Sequence, residues 1–479
     1  MFLMAPELIL IFTAFSVLIL DFIFLKIDKK ILFYLALIGI AISTASLFSV
    51  WGEEASWLGG RFAIDQVSSW FKFIFLLSTF LTLTFSSISF ESKNMPLTHR
   101  SEFIFVLLMS LAGMMFLISS RDMVSLYIGL ELATIPLFAL TAWRRSEKSG
   151  EAGIKYLAIG ALGSAFLLYG MGLLYGLTAQ VDLNLIAKAI TANSATWLAA
   201  GLIIAGVGFK LTLFPFHMWA PDAYEGAPPI VTAYLSVASK AAGLALAFQF
   251  FYRVFWGQLH SWSLLIAIFA TATMTLGNFA AITQKNLMRF MAYSAISQAG
   301  YLIIGFMGTG AADAQAMIFY LLVYAVTNLA VFAVLILHIQ ETGNEDMTGL
   351  KGFSRVNPLL AFAMMLALFG LAGIPPLAGF VGKFFLFGIA AKYGFYWLVV
   401  VAALNSTVSL YYYLRVVRQM YIEDPNPSAK PLQIKPLFAL GLFIAIVSCV
   451  VLGLIPNVYE GIGKSAQSWI QLFSHLKNI

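Results

Sequence analysis

Two stretches decide how this chain is built: LIIAGVGFKLTLFPFHMW (202–219) and LAGIPPLAGFVGKFF (371–385). Each is an apolar run of the kind that crosses a bilayer, each contains proline, and each carries one lysine, Lys210 or Lys383. Proline removes a backbone donor and clashes with the preceding turn. In hydrocarbon the freed carbonyls must face protein or a polar cavity. Interrupted helices at corresponding places in two halves of a chain point to a transport site between inverted repeats.

The rest of the sequence fits a polytopic membrane protein. The chain has 479 residues, 61% hydrophobic and 10% charged, with a mean hydropathy of +0.90. Soluble domains carry about 25% charged residues. A spanning helix needs about 20 mostly apolar residues. Fourteen runs qualify, at 6–26, 31–51, 67–90, 102–120, 122–143, 154–178, 196–219, 228–256, 261–284, 290–308, 313–339, 356–391, 394–420 and 436–456. The thinnest division is between the fourth and fifth, where Arg121 and Asp122 alone interrupt the apolar run. The two breaks fall in the seventh and twelfth spans, five apart. Spans 4–8 (within 101–256) and 9–13 (261–420) therefore read as two five-helix units, each with its fourth member broken. An odd number of helices per unit makes consecutive units inverted. The expected fold is all-α, a single membrane domain over 1–479. Residues 1–100 supply three leading spans, and 436–479 supply the last span with a mixed tail. Trp469, Ile470, Phe473 and Leu476 share one helical face of that tail, as an interfacial helix would.

The net charge of +6 resides in short loops, so nucleic acid is not the expected partner; the lipid bilayer is. Basic residues of the odd-numbered loops, such as Lys26, Lys29, Lys30, Lys93, Arg144 and Arg145, outnumber those of the even ones by more than two to one. The positive-inside rule then puts odd loops in the cytoplasm and both termini on the non-cytoplasmic side. The N-terminus lacks the basic region and cleavage site of a removed signal and reads as the first span. One cysteine, Cys449, cannot hold an iron–sulfur cluster, which needs about four thiolates. The five histidines are scattered, and no phosphate-binding glycine motif is present, so no metal, nucleotide or redox cofactor is expected in this chain.

Four ionisable residues lie deep in apolar runs: Glu131 in SLYIGLELATIPLF, Lys210, Lys240 in YLSVASKAAGLALAF, and Lys383. A charge at mid-bilayer costs roughly 2.5–3.5 kcal/mol even on the lenient insertion scale, about 10 kcal/mol for four. One acid and three amines across a membrane suggest a proton path, because a lysine pKa moves readily on burial and an arginine pKa does not. Glu131 and Lys210 are expected to face each other as an acid–base switch, with Lys240 as a middle station and Lys383 as the terminal one. The alternative for a lone lysine is snorkelling to the headgroups. Lys72, only five residues into its span, is assigned snorkelling or a structural role. His217, beside the first break, is a hydrated relay or a cap. Lys155 is a candidate for a cytoplasmic entry path, and His338, at a helix end, for a surface role.

Three segments carry a resemblance: KLTLFPFHMWAPDAYEGAPPIVTAYLSVASK (210–240), QKNLMRFMAYSAISQAGYL (284–302) and AGIPPLAGFVGKF (372–384). They resemble the antiporter-like membrane subunits of respiratory complex I. PFHMWAPDAYEGAPP, with a lysine in GKF, is most similar to the N-type branch of NADH-quinone oxidoreductase. The resemblance implies fourteen helices with inverted repeats and a proton-channel role for Glu131, Lys210, Lys240 and Lys383. It implies NADH, FMN, iron–sulfur clusters and quinone in partner subunits, and neighbours that include an M-type subunit and small membrane subunits. It also implies an energy-coupling membrane, the bacterial plasma membrane in the simplest case. Relatives often carry histidine where this chain has Gln298, which cannot titrate. A cation/proton antiporter subunit of the Mrp type would carry similar residues and stays the competing reading. A non-transporting scaffold is the third, and it predicts that the four charges are dispensable.

Overall fold

The computed structural model describes residues 2–24, 28–90, 99–256, 262–425 and 430–477, with side chains up to residue 471. Lys26 and Lys93 of the charge bias, and the side chains of Phe473 and Leu476, lie outside the described residues. Among the described residues, thirteen helices are long and apolar enough to cross a membrane. They are α1 (Ala5–Ile23), α2 (Lys29–Ser49), α3 (Gln66–Ser89), α4 (Arg100–Ser119), α5 (Met123–Thr141), α6 (Glu147–Thr178), α8 (Ser194–Leu211), α10 (Pro229–Gln249), α11 (Ser263–Thr283), α12 (Leu287–Leu302), α13 (Ala311–Thr342), α17 (Tyr396–Tyr421) and α18 (Pro436–Leu454). The twelfth expected run is two shorter helices, α15 (Pro358–Ala372) and α16 (Ala378–Lys392). Short helices α7 (Leu183–Ala189), α9 (Trp219–Gly226) and α14 (Phe353–Val356) lie between them, and α19 (Asn457–Lys477) closes the chain. The all-α expectation misses one small feature. Strands β1 (Ala55–Trp57) and β2 (Phe62–Ile64) form an antiparallel hairpin with Ala55 opposite Ile64.

Tight loops work here because they supply helix caps, which satisfy the first amides of each helix. Asp28, Asp65, Asp122, Ser146, Asn193 and Asn286 each accept a backbone N–H from the first turn of the following helix. Asp122 explains how Arg121 and Asp122 divide an otherwise continuous run: it caps α5, which starts four residues after α4 ends.

The two five-helix stretches match in register. An isolated bridge joins Asp122 to Asp182, and another joins Asn286 to Asp346. The second pair lies the same number of residues downstream of the first at both positions. α6 and α13 are separated by that same offset at both ends, and both are 32 residues long.

Polar residues are sorted by depth. α10 and α13 are buried along nearly their whole length and carry Thr232, Ser236, Lys240, Thr327 and Asn328. Helices at the perimeter turn large apolar side chains outward, Phe12 at 76% and Phe443 at 66% exposure among them. That inversion of the soluble pattern is what hydrocarbon demands.

Close crossings depend on glycine. A Cβ on Gly379, at the start of α16, would sit 1.7 Å from the Gly370 carbonyl oxygen in α15. Gly379→Ala is expected to destabilise the bundle by roughly 1–3 kcal/mol, the usual cost of overpacking. A thermal unfolding midpoint equal to wild type would refute this.

The tail faces inward rather than out to lipid. Trp469 is 2% exposed and its indole donates to Asp65 Oδ2 at 3.0 Å. Ile462 and Ala466 share its buried face, and Trp70 Nε1 donates to Ser465 at 3.1 Å. α19 is amphipathic, as its sequence indicates, but its apolar face covers the ends of α3 and α13.

Candidate functional site

The first break runs between α8 and α9. Lys210 lies in the last turn of α8, 1% exposed, where carbonyls lose their helical partners. Those carbonyls find others: Trp219 Nε1 donates to Phe209 O at 3.2 Å, and Ser239 of α10 donates to Lys210 O at 3.3 Å. The Phe214 amide donates to Thr273 of α11 at 3.0 Å, which ties the break to the second five-helix stretch.

Lys210 and Glu131 are neighbours but not a contact pair. Lys210 Nζ donates to Thr134 Oγ1 at 3.3 Å, one helical turn beyond Glu131 on α5. Glu131 accepts from Ser164 of α6 at 2.7 Å, and no ion pair within 4 Å joins it to Lys210 among the described residues. In this structure the Ser164 hydroxyl stands on the acid and the Thr134 hydroxyl on the base. Residues three apart share a helix face, so Thr134 and Glu131 lie on the same side of α5. Lys240 is 1% exposed on α10, and its Nζ reaches the Tyr224 hydroxyl of α9 at 3.4 Å.

The second break, between α15 and α16, is built around Lys383. Its ammonium donates to Leu371 O at 2.9 Å, Ala372 O at 3.0 Å and Ser406 Oγ at 3.1 Å, and it lies 4.5 Å from the Tyr301 ring centre. The interrupted helix leaves the last carbonyls of α15 open, and the lysine that follows the break fills them. Gln298, fully buried, donates to the same Leu371 carbonyl at 3.0 Å and is within 3.4 Å of the Tyr413 hydroxyl. It also accepts a hydrogen bond from the Tyr320 hydroxyl. An amide that donates and accepts at once is a fixed junction beside Lys383.

The remaining candidates divide. His217 is buried in the first break, 5.9 Å from the Phe214 ring, with Nδ1 lacking a partner among the described residues. Lys155 is partly exposed and paired with Glu151 at 2.6 Å and Asp222 at 3.0 Å. Arg289 of α12 joins Asp222 at 2.9 Å and Glu225 at 3.0 Å. This network bridges α6, α9 and α12. His338 is not a surface residue: it is 3% exposed, packs edge-on against Phe353, and borders a polar cavity of about 510 Å³ with Glu341, Lys351 and Lys430.

Of the two alternatives for Lys72, snorkelling or a structural role, its burial excludes snorkelling. Lys72 is 0% exposed and ion-paired at 2.6 Å with Glu7 of α1, itself 0% exposed. Glu7 was missed because it falls within two residues of a proline near the chain start, where helix-end acids are common. The one signal was Lys72, the lone charged residue of the third leading span, with acids in the first. Asp65 was missed as well. Burial alone would raise its carboxyl pKa, but Arg121, Arg253 and the Ser68 hydrogen bonds outweigh that and hold it below the ordinary range. Among the described residues, no group of three or more His, Cys, Asp or Glu could hold a metal.

Comparison with known proteins agrees with this architecture. The family model described as "NADH:quinone oxidoreductase/Mrp antiporter, TM" matches residues 120–409. NADH-quinone oxidoreductase subunit N of Dehalococcoides mccartyi is 35% identical, covering 97% of this chain and 99% of that one. NAD(P)H-quinone oxidoreductase subunit 2 of a Nostoc species is 38% identical over 94% of this chain and 90% of its own. A chain of respiratory complex I from Thermus thermophilus superposes with a TM-score of 0.81 at 32% identity, covering 94% of this chain and 97% of that chain. A chain of the Mrp complex from a Dietzia species has a TM-score of 0.88 at 20% identity over 99% of this chain and 98% of its own, which is a likeness of fold.

Proposed function

The chain belongs to the antiporter-like membrane subunits of NADH-quinone oxidoreductase, in the subunit N branch, and from that premise we propose that it translocates protons along Glu131, Lys210, Lys240 and Lys383. The observation that carries this reading is Lys383: a fully desolvated amine seated on the open carbonyls of a broken helix. Lys210 supports it from the matching break, and Lys240 supports it from the buried helix between them.

In this reading α8 with α9, and α15 with α16, are two broken spans, which brings the total to fourteen. α4–α10 and α11–α17 are inverted repeats, supported by the shared offset of their bridges and of α6 and α13. The proton enters near Lys155 and the Asp222–Arg289 network, on the side where basic loops cluster; both termini lie on the other side. Lys210 holds its proton while Glu131 is close and charged, and it loses the proton when that charge is withdrawn, since desolvation disfavours an ammonium. Lys240 and Lys383 pass the proton on through hydroxyls and ordered water. Gln298 does not titrate and serves as a hydrogen-bond junction. NADH oxidation and quinone reduction occur in partner subunits, and this chain supplies no cofactor. Its neighbours are other complex I membrane subunits, an M-type subunit among them. An Mrp-type cation/proton antiporter role is disfavoured, because subunit N relatives match at 35% identity whereas the Mrp likeness is one of fold.

The test is the assembled complex carrying Glu131→Gln or Lys210→Ala. NADH-driven proton uptake into inverted vesicles is expected to fall at least about tenfold, with assembly intact. A well-positioned acid or base contributes roughly 10²–10⁴-fold to proton transfer. Wild-type pumping by either assembled variant sinks the assignment of that residue. Sodium-dependent proton exchange by the chain without redox partners would favour the antiporter reading.

A further inference from the structure

At the end of the bundle where α2, α4 and α18 begin and α3 ends, four basic side chains line one cleft: Lys29, Lys30, Arg100 and Lys435. The cleft holds about 330 Å³. Its walls below the charges are Phe33, Tyr34, Phe90 and Leu437, with Phe33 and Phe90 edge-to-face at 5.7 Å. We propose that this cleft binds the headgroup of an anionic phospholipid, with its phosphate among the four cations and the glycerol and first acyl carbons on the aromatic floor.

Several independent features converge on that ligand. Three helices direct their N-termini at the cleft, and two of them, α4 and α18, have no side-chain cap hydrogen bond. Uncapped N-terminal amides carry partial positive charge and favour anions. All four basic residues already have contacts: Lys29 pairs with Asp21, Arg100 donates to the Phe90 carbonyl while lying 5.3 Å from its ring centre, and Lys30 and Lys435 have partners of their own. Those contacts fix where the cations point. Tyr34, 53% exposed, sits at the perimeter with an apolar body and a polar tip, as residues of a membrane interface do. A free phosphate would use the cations and leave the aromatic floor in contact with nothing suited to it; a phospholipid uses both. Basic pockets between membrane helices at the cytoplasmic surface are where anionic headgroups are held. These loops are the ones that the charge bias puts on that surface. The inference requires only that the chain spans a membrane and does not depend on the proton path.

The experiment uses the full chain in detergent, titrated with short-chain phosphatidylglycerol or phosphatidylcholine of the same acyl length and followed by native mass spectrometry. Wild type is expected to retain phosphatidylglycerol preferentially. The triple variant Lys30→Gln, Arg100→Gln, Lys435→Gln is expected to bind it about 100-fold more weakly. A control triple, Lys351→Gln, Arg355→Gln, Arg418→Gln, changes net charge equally away from the cleft and is expected to bind as wild type. Three results would overturn the proposal: equal retention of both lipids, equal loss in both triples, or displacement of the lipid by millimolar inorganic phosphate. If the first triple fails to fold, Lys435→Glu alone must still weaken phosphatidylglycerol and spare phosphatidylcholine.

Discussion

Lys383→Met and Lys383→Arg are both expected to abolish coupled proton pumping in an assembled complex, for different reasons. Methionine keeps the stem and removes the proton carrier. The break should survive it, because neither carbonyl is orphaned: Leu371 O still accepts from Gln298, and Ala372 O still accepts from the Ser406 hydroxyl at 2.8 Å. The stability lost is that of charge-assisted hydrogen bonds, roughly 1.5–3 kcal/mol. Arginine keeps the charge and the donors but does not release a proton at any pH the complex survives. Proton uptake per NADH oxidised, measured in inverted vesicles, is expected to drop about 10²-fold or more in both variants. Wild-type stoichiometry in Lys383→Arg would show that this amine is a structural plug in the broken helix and nothing more.

The second large effect concerns Glu7 and Lys72. Removing one partner of a fully buried ion pair leaves the other charged and unpaired, at a cost of roughly 3–5 kcal/mol. Glu7→Leu and Lys72→Leu are therefore each expected to lower the unfolding midpoint of the chain sharply. The double variant should recover most of the loss, since an apolar pair of similar size is often neutral there. Two single variants that melt like wild type would mean that the pair is not ionised. A double variant that melts normally but pumps poorly would extend the proton path into the three leading helices.

The helix inventory could be read along the chain because hydrophobic runs, prolines and caps are local signals. The seventh and twelfth runs break where their prolines predict, between Leu211 and Trp219 and between Ala372 and Ala378. Glu131, Lys210, Lys240 and Lys383 could likewise be picked out, since a charge in an apolar run stands out one residue at a time. What each touches could not be found that way. Thr134 takes the place beside Lys210 that an opposite charge seemed to claim, because α5 offers both groups on one face and Ser164 engages the acid. Lys72 looked like a residue near a helix end, and depth along its own helix gave no hint of a partner on α1.

The amino-acid sequence thus determined the helical, membrane-spanning class, the two breaks, the family and the identity of four deep charges, all from patterns shorter than about 30 residues. Packing settled the rest. Glu7 meets Lys72, Trp469 meets Asp65, and Gln298 shares a carbonyl with Lys383 across separations far longer than any helical period. Such contacts depend on which helix faces turn towards one another. In a membrane every face is apolar enough to pass the local test, so only the assembled bundle decides which polar groups are brought together.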